Sequence, residues 1–453
     1  MKKILFIALI LPLLPAGLQA QEPEAWSIEE CIAYALDNNI EMKRQELNTA
    51  VKDKDLAQSK LNALPNLNGQ VNHDLGSGRV LDRGSYEWVN TDVSQGDLGL
   101  VSNVTLFKGL QGLNAIKMAE ADHDMAKAQM EASEDNLVLN IMTSYLEVLL
   151  KGELFEIAGE KVKVAEQQVE RMEKLVEVGN AATGDLLEVK ATATTEKYNM
   201  TLARNNLTYA RLELAQLLNH PDPLSFRVSS PEIGEPSLVQ LPGPDEIYGK
   251  ALEVLPQVEA ARLQLTYQSK QLAVARGALS PELFVRALYY SNYSDKLINP
   301  REIDPRNPVL EYPVHQQVFD NQYKQVSIGL NIPVFNKWQN RTNISKAKIG
   351  LEDAHYQVEE VKQQLYKDIQ RYYAEVMGAL DNYEAARESH ANSEEAYRYA
   401  EEKFKVGMAT ALELEEARNR LFTSRAEMVN ARYTFVFYLE ILEFYQGNMI
   451  SLN

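Results

Sequence analysis

One cysteine in 453 residues, Cys31, excludes a disulfide framework and any cysteine-rich metal site. Six scattered histidines include no pair at metal-ligand spacing with a matching carboxylate. His123 lies between Asp122 and Asp124. Adjacent residues on a helix point apart, so a solvated polar face is the expectation there. There is no convergent Ser/His/Asp set and no glycine-rich phosphate loop, so nothing points to an enzyme or to a cofactor. Basic residues are in deficit, 46 against 64 acidic, and the net charge of −18 argues against a nucleic-acid partner. Beyond the first 20 residues no apolar run is long enough for a transmembrane helix. Proline is missing between Pro65 and Pro221 and after Pro333. Because proline breaks helix interiors, those two tracts can hold very long helices.

What is present begins with a leader. Residues 1–20 read as a signal peptide: Lys2 and Lys3 are basic, Ile4 to Leu14 are apolar, and Gly17-Leu18-Gln19-Ala20 suits cleavage. The apolar run is shorter than the about 20 residues that span a bilayer. An exported chain without a spanning helix is either periplasmic or an outer-membrane β-barrel. Cys31 lies past the cleavage point, lacks a lipidation context and suits a buried place on the first helix.

The chain also repeats itself. Leu56-Ala57 and Leu64-Pro65-Asn66-Leu67 return as Leu272-Ala273 and Ser280-Pro281-Glu282-Leu283, a shift of 216. Val104-Thr105-Leu106-Phe107 returns as Ile332-Pro333-Val334-Phe335, a shift of 228, and Val178-Gly179 as Val406-Gly407. We read a first repeat over 21–220, a linker over 221–244 and a second repeat over 245–449. A proline-rich loop over Asn292–Asn321 lies inside the second repeat.

Each repeat holds two kinds of pattern. After Pro65, Leu67, Val71 and Leu75 alternate with Asn66, Asn68, Gln70, Asn72 and Asp74, which predicts a strand over about 66–75. Leu98 and Leu100 mark a second strand, about 97–107. The other repeat matches them with strands at about 282–293 and 323–335, the last carrying Ile328, Leu330 and Ile332. Both shifts are even, so each side chain keeps its face. Strands of about ten residues with one apolar face suit a membrane barrel. Four strands cannot close a barrel, since closure takes about eight, so several chains would have to share one. A soluble sandwich strand has the same pattern when taken alone.

The proline-free tracts step by three and four through Val162, Ala165, Val169, Met172 and Val176, then through Leu414, Ala417, Leu421, Ser424 and Met428. That is a heptad seam. A helix from Gln111 to Val178 would reach roughly 100 Å. An ordinary long coiled coil shares this pattern. Each helix must reverse near 179–184 or 407–412, where Gly179 and Gly407 suit helix caps. Asp185, Glu188, Glu413 and Glu416 lie at the start of the returning helices.

Together these residues resemble the TolC-type outer-membrane efflux protein family. The opening Trp26-Ser27-Ile28-Glu29-Glu30-Cys31 with Ala35-Leu36 and Asn38-Asn39 is similar to that family's first helix. So are the Leu-Pro-x-Leu start of strand one, and Val406-Gly407-Met408-Ala409-Thr410 followed by Glu413-Leu414. The resemblance implies an α+β fold: a long α-helical coiled-coil barrel continuous with a transmembrane β-barrel shared by a homotrimer. It implies a passive exit duct for efflux or type I secretion. Its partners would be a periplasmic adaptor, an inner-membrane pump of the RND or ABC class, and outer-membrane lipid.

On that reading Asn66, Asn68, Gln70, Asn72 and Asp74 face the lumen, and Leu67, Val71, Leu98, Leu100, Ile328, Leu330 and Ile332 face lipid. Gly179, Asp185, Glu188, Phe404, Gly407, Glu413 and Glu416 form the periplasmic entrance, where acids from three chains would make rings that attract cations. The family's best-known member holds its tip shut with a polar lock that ties an acid on the first turn to a tyrosine and an arginine on the second. Asp185 keeps the acid, whereas Phe404 and Ala409 replace its partners. Phe404 is therefore expected to close the entrance by apolar packing. The segments 76–95 and 293–322 are expected as surface loops, with Ser85 and Asn307 reachable from outside the cell and Ala181 shielded. A periplasmic coiled-coil adaptor or scaffold is the alternative.

Overall fold

A computed structural model describes residues 25–81, 87–231, 234–236, 241–297, 299, 311–448 and 450. The expected signal peptide, Ser85, Asn307 and Pro300, Pro305 and Pro308 of the expected loop lie outside these residues. In chain order the elements are α1 (Ile28–Asn38), α2 (Ile40–Leu61), β1 (Asn68–Leu81), β2 (Trp88–Lys108), α3 (Gln111–Glu177) and α4 (Thr183–Leu217). Then come α5 (Pro244–Val254), α6 (Pro256–Gly277), β3 (Glu282–Ser294), α7 (Val314–Asp320), β4 (Tyr323–Asn331), α8 (Gln339–Lys405) and α9 (Ala411–Tyr445). The class is α+β, mostly helical with one antiparallel sheet in the order β1-β2-β3-β4.

The chain divides into two compact units. The first comprises residues 43–133 and 248–368 and contains the sheet. Its strands differ in length from the expectation. β1 runs on to Leu81 and β2 starts at Trp88, so most of the expected 76–95 loop is paired strand. Alternation by polarity lapses at Gly76-Ser77-Gly78, but the backbone ladder continues, because ladder bonds do not need side chains. β4 stops at Asn331, before Pro333, which has no N–H to donate. Asn66, Leu67 and Ile332 thus lie just outside the strands.

The described residues of the expected loop Asn292–Asn321 include the end of β3 and the short α7. The α7 side chains take up the edge of β3 where β4 has ended. Gln317 Oε1 accepts the Ser294 N–H at 2.8 Å, Asn321 Nδ2 donates to the Asn292 carbonyl at 2.9 Å, and Ser291 Oγ donates to the Val318 carbonyl at 2.6 Å. His123 and Asp124, expected to point apart, meet at 3.0 Å.

The second unit comprises residues 1–42, 134–247 and 369–453, and its described residues are mostly helical. Ile141, Tyr145, Val148, Leu214, Ile369, Val376 and Leu442 are its fully buried centre. The heptad seam is buried at Val162, Ala165, Leu414, Ala417 and Ser424. Ion pairs repeat along it at heptad spacing. Lys190 meets Glu173 and Lys197 meets Glu166, each at 2.8 Å, fixing α4 antiparallel to α3. Arg425–Glu160 and Arg432–Glu153 do the same for α9 against α3. The exposed pairs among them contribute roughly 0–1 kcal/mol each, so their main effect is on register.

Two helices, α1 and α2, precede the first strand, separated at Asn39. The Asn39 Oδ1 accepts the Glu41 N–H at 2.8 Å, and its Nδ2 donates to the Leu217 carbonyl at 3.1 Å. Pro244, expected as the end of the linker, is the first residue of α5. Cys31 is fully buried on α1. In the expected linker over 221–244, Val228 forms a parallel bridge with Trp26, and the Ser229 carbonyl accepts the Tyr145 hydroxyl at 2.8 Å.

Candidate functional site

The sheet presents two chemically different faces, and the register sorts them. Val71 pairs with Leu98, Gly69 with Leu100 and Val285 with Ile328. Directly opposed residues in an antiparallel pair share a face. One face therefore carries Val71, Leu75, Leu98, Leu100, Val104, Val285, Val326, Ile328 and Leu330. Val71 is 73 % exposed and Ile328 74 %, while Leu98 is half-buried between its neighbours. Leu67 and Ile332 are exposed as well.

The other face carries Asn68, Gln70, Asn72 and Asp74 of β1. The opposed residues Asn72, Asp97 and Asn292 form a polar row across three strands, in which Asn72 Nδ2 donates to Asp97 at 3.2 Å. Asn66 ties the start of β1 to β2: its N–H donates to the Asn103 carbonyl at 3.1 Å, and its Oδ1 accepts the Asn103 N–H at 2.7 Å. Gly96 permits one close approach on the apolar face. Tyr293 crosses it to place its hydroxyl 2.9 Å from His73 Nδ1, and a Cβ at Gly96 would lie 2.4 Å from that hydroxyl.

The α3–α4 and α8–α9 turns are built alike. Gly179 has φ +81° and Gly407 φ +76°, the left-handed conformation of a helix C-cap. The next N–H reaches back to the helix, from Asn180 to the Leu175 carbonyl and from Met408 to the Lys403 carbonyl, each at 2.8 Å. Thr410 then opens α9 with a full capping box. Its Oγ1 accepts the Glu413 N–H at 3.2 Å, and Glu413 accepts the Thr410 N–H at 2.7 Å. That backbone bond, then the Thr410 hydroxyl, hold the Glu413 carboxyl below its ordinary range. Asp185 performs half of this role, accepting the Ala182 N–H at 3.3 Å. Glu188 and Glu416 are exposed on their helices.

Phe404 is half-buried, and its partner was not anticipated. The Arg171 guanidinium lies 4.9 Å from the ring centroid. The sequence suggested a purely apolar seam, because Phe404 continues the stripe of Tyr397 and Ala400. Arg171 reaches the ring from α3, and no periodicity within one helix reveals a partner on another. Arg418 is a second residue missed. It is buried on α9 beside the seam residue Ala417 and contacts Glu415. Burial raises the Glu415 carboxyl above its ordinary range, against the pull of Arg418.

The family profile for outer membrane efflux proteins matches residues 31–220 and again 247–445. The chain belongs to the outer membrane efflux protein family. It is accordingly an outer-membrane protein of a transport family, an efflux channel. The efflux protein BepC of Brucella suis biovar 1 (strain 1330) is 20 % identical over 406 residues, covering 89 % of this chain and 82 % of BepC. In fold the chain is similar to CusC, with a TM-score of 0.78 at 17 % identity over 99 % of both chains. It is also similar to the Campylobacter jejuni CmeC outer membrane channel, with a TM-score of 0.77 at 15 % identity over 93 % of this chain and 85 % of CmeC.

Proposed function

We propose that three copies of this efflux-family chain close one twelve-stranded barrel, four strands from each, and act as a passive exit duct. The observation that carries this reading is the sheet itself. It exposes the apolar side chains of Val71, Leu75, Leu100, Val326, Ile328 and Leu330 on one face, and among the described residues β1 and β4 have no partner on their outer edges. An open edge is not tolerated in hydrocarbon, so other copies must supply the missing strands. Val71, Leu98, Leu100, Ile328 and Leu330, with Leu67 and Ile332 at the strand ends, then face lipid. Asn68, Gln70, Asn72 and Asp74, with Asn66, face the water-filled lumen. The duct requires only hydration and width, so no residue is assigned a catalytic role.

We also read the chain as a duplication. α3 and α8 are each 67 residues long and α4 and α9 each 35, with every boundary displaced by the same 228 positions. The helix breaks at Asn39 and Leu255 stand 216 apart.

The two helical turns are the proposed periplasmic entrance. Val178, Leu187, Val406, Met408 and Leu412 are all exposed there. That apolar surface suits docking by a periplasmic adaptor, which would couple the duct to an inner-membrane pump of the RND or ABC class. Glu188 and Glu416 are the acids free of cap bonds and best suited to rings that attract cations.

The test is fractionation followed by labelling. The full chain should partition with outer membranes, require detergent and run as a trimer. A cysteine at Glu87, beside the β1–β2 connection, should react with an impermeant maleimide on intact cells, and one at Ala181 should not. Cys31 is fully buried, and burial pushes its thiol pKa up to about 12, so it is shielded from the reagent. Reaction at Ala181 with protection at Glu87 would invert the topology and overturn the proposal.

A further inference from the structure

Residues 321–351 are unlike the rest of this acidic chain. They hold five cations, Lys324, Lys337, Arg341, Lys346 and Lys348, and no acid. The equivalent stretch of the first repeat, 93–123, holds Lys108 and Lys117 against Asp97, Glu120 and Asp122. The same strand-to-helix turn is built in both places. Gly109 and Leu110 have φ of +55° and +59°, Lys337 and Trp338 of +55° and +63°. Gly109, Leu110 and Leu113 of the first repeat correspond to Lys337, Trp338 and Arg341. Folding this turn therefore does not require the cations. They even oppose the helix: α8 has no acid in its first turn, and a cation near a helix N-terminus is disfavoured by the macrodipole.

The surroundings indicate what the cations meet. The exposed apolar face of β4 runs on past the strand, with Val334 91 % exposed, Phe335 73 % and Trp338 57 %. Arg341 places its guanidinium 4.3 Å from the Trp338 ring centroid. Lys337, Lys346 and Lys348 are exposed, and none of the four cations from Lys337 onward has an ion pair among the described residues. Exposed apolar side chains followed by an indole flanked by cations, Lys337 before it and Arg341 after, match the chemistry met on leaving a bilayer: hydrocarbon, then interface and phosphate.

We propose that Lys337, Trp338 and Arg341 form a binding surface for anionic phospholipid headgroups where β4 leaves the membrane. Trp338 lies at headgroup depth, and the two cations hold lipid phosphates. Only the second repeat carries this surface, so a closed assembly has one per chain. The proposal rests on the lipid-facing reading of β4, and the test separates the two.

The experiment uses the full chain with Trp26 and Trp88 changed to Phe, leaving Trp338 as the sole tryptophan of three. The protein is reconstituted in phosphatidylcholine vesicles doped with brominated phosphatidylcholine or brominated phosphatidylglycerol. Quenching of Trp338 should be strongest with bromines near the carbonyl end of the acyl chain and should favour phosphatidylglycerol. A cation near an anionic lipid surface contributes about 1 kcal/mol, so Lys337→Gln or Arg341→Gln should each reduce the preference roughly fivefold. Lys337→Arg should retain it.

An Ile328→Trp, Trp338→Phe protein reports on the lipid face itself, with quenching from the methyl end of the chain. Quenching at Ile328→Trp but none at Trp338 would place another protein copy over the surface and overturn the headgroup proposal alone. Equal quenching by both lipids would also overturn it, as would a preference unaffected by the double Gln variant. No quenching at Ile328→Trp would instead overturn the lipid-facing reading. If the tryptophan changes prevent assembly, native mass spectrometry of the unsubstituted protein decides, with retained phosphatidylglycerol as the expected result and its absence as the contrary one.

Discussion

At the scale of single residues the proposed entrance depends on which bonds are already in use. Asp185 spends a carboxylate oxygen on its own helix start, the Ala182 N–H. Phe404 contacts a different helix through Arg171. Burying a ring stabilises by ~1.5–3 kcal/mol when complete, and an exposed cation over a ring adds about 0.5–1 kcal/mol. Phe404→Ala should therefore loosen the entrance and raise single-channel conductance in planar bilayers, and Arg171→Ala should do so to a lesser degree. Asp185→Asn should change conductance little. A wide opening by Asp185→Asn, with Phe404→Ala silent, would show that a polar lock with other partners closes the duct. Glu413 gives a pH prediction. Its lowered carboxyl stabilises the start of α9 above the ordinary value of 4.5, and that contribution is lost as pH falls through the lower folded value. Hydrogen-exchange protection of the first turn of α9 should drop in that acid range. Glu413→Ala should abolish the pH dependence, and Thr410→Ala should cost the turn about 1 kcal/mol at neutral pH. Protection that is flat from neutral pH into acid would show that the box contributes nothing.

At the scale of elements the close approach at Gly96 makes the sheet testable. A Cβ there meets the Tyr293 hydroxyl at 2.4 Å and the Asn72 carbonyl at 2.5 Å, and the backbone atom cannot swing aside. Gly76 has nothing within 4 Å of its virtual Cβ. Gly96→Val should cost roughly 1–3 kcal/mol or more and deplete the heat-modifiable assembled band on a gel. Gly76→Ala should leave that band intact, and the reverse pattern would contradict the register. The same strands show how far sequence reading reaches. Alternation through Leu67, Val71 and Leu75 located β1 and its faces, because a half-exposed strand must alternate. It lost the strand at Gly76-Ser77-Gly78, where pairing is carried by backbone alone. The break at Asn39 was illegible for a related reason. Its cause is a side chain bonding to Leu217, 178 residues away, and no local pattern records that. α7 was hidden because seven residues are too few for a helical period to declare itself. The turns at Gly179 and Gly407 were legible, since a left-handed cap has one preferred residue. Arg171 over Phe404 was not, because each residue looks ordinary on its own helix.

At the scale of the whole molecule the duct differs from a folded domain in what one chain can accomplish. A single copy presents β1 and β4 with unpaired outer edges among the described residues, beside an apolar face suited to lipid. Insertion and association are then one event, and the assembled fraction should depend steeply on protein concentration. Purified, unfolded chain refolded into detergent should give assembled trimer in a concentration-dependent yield, with no stable monomeric barrel at any dilution. A monomer resistant to protease in detergent would refute this. The unpaired edges also have a genetic consequence. If the proposed trimer forms from normal and edge-defective chains made in equal amounts and mixed freely, only about one assembly in eight contains three normal copies. A lesion confined to β1 or β4 should therefore behave as a dominant allele. A lesion that stops the chain before export should be recessive, because a copy that never reaches the membrane spoils no one else's barrel.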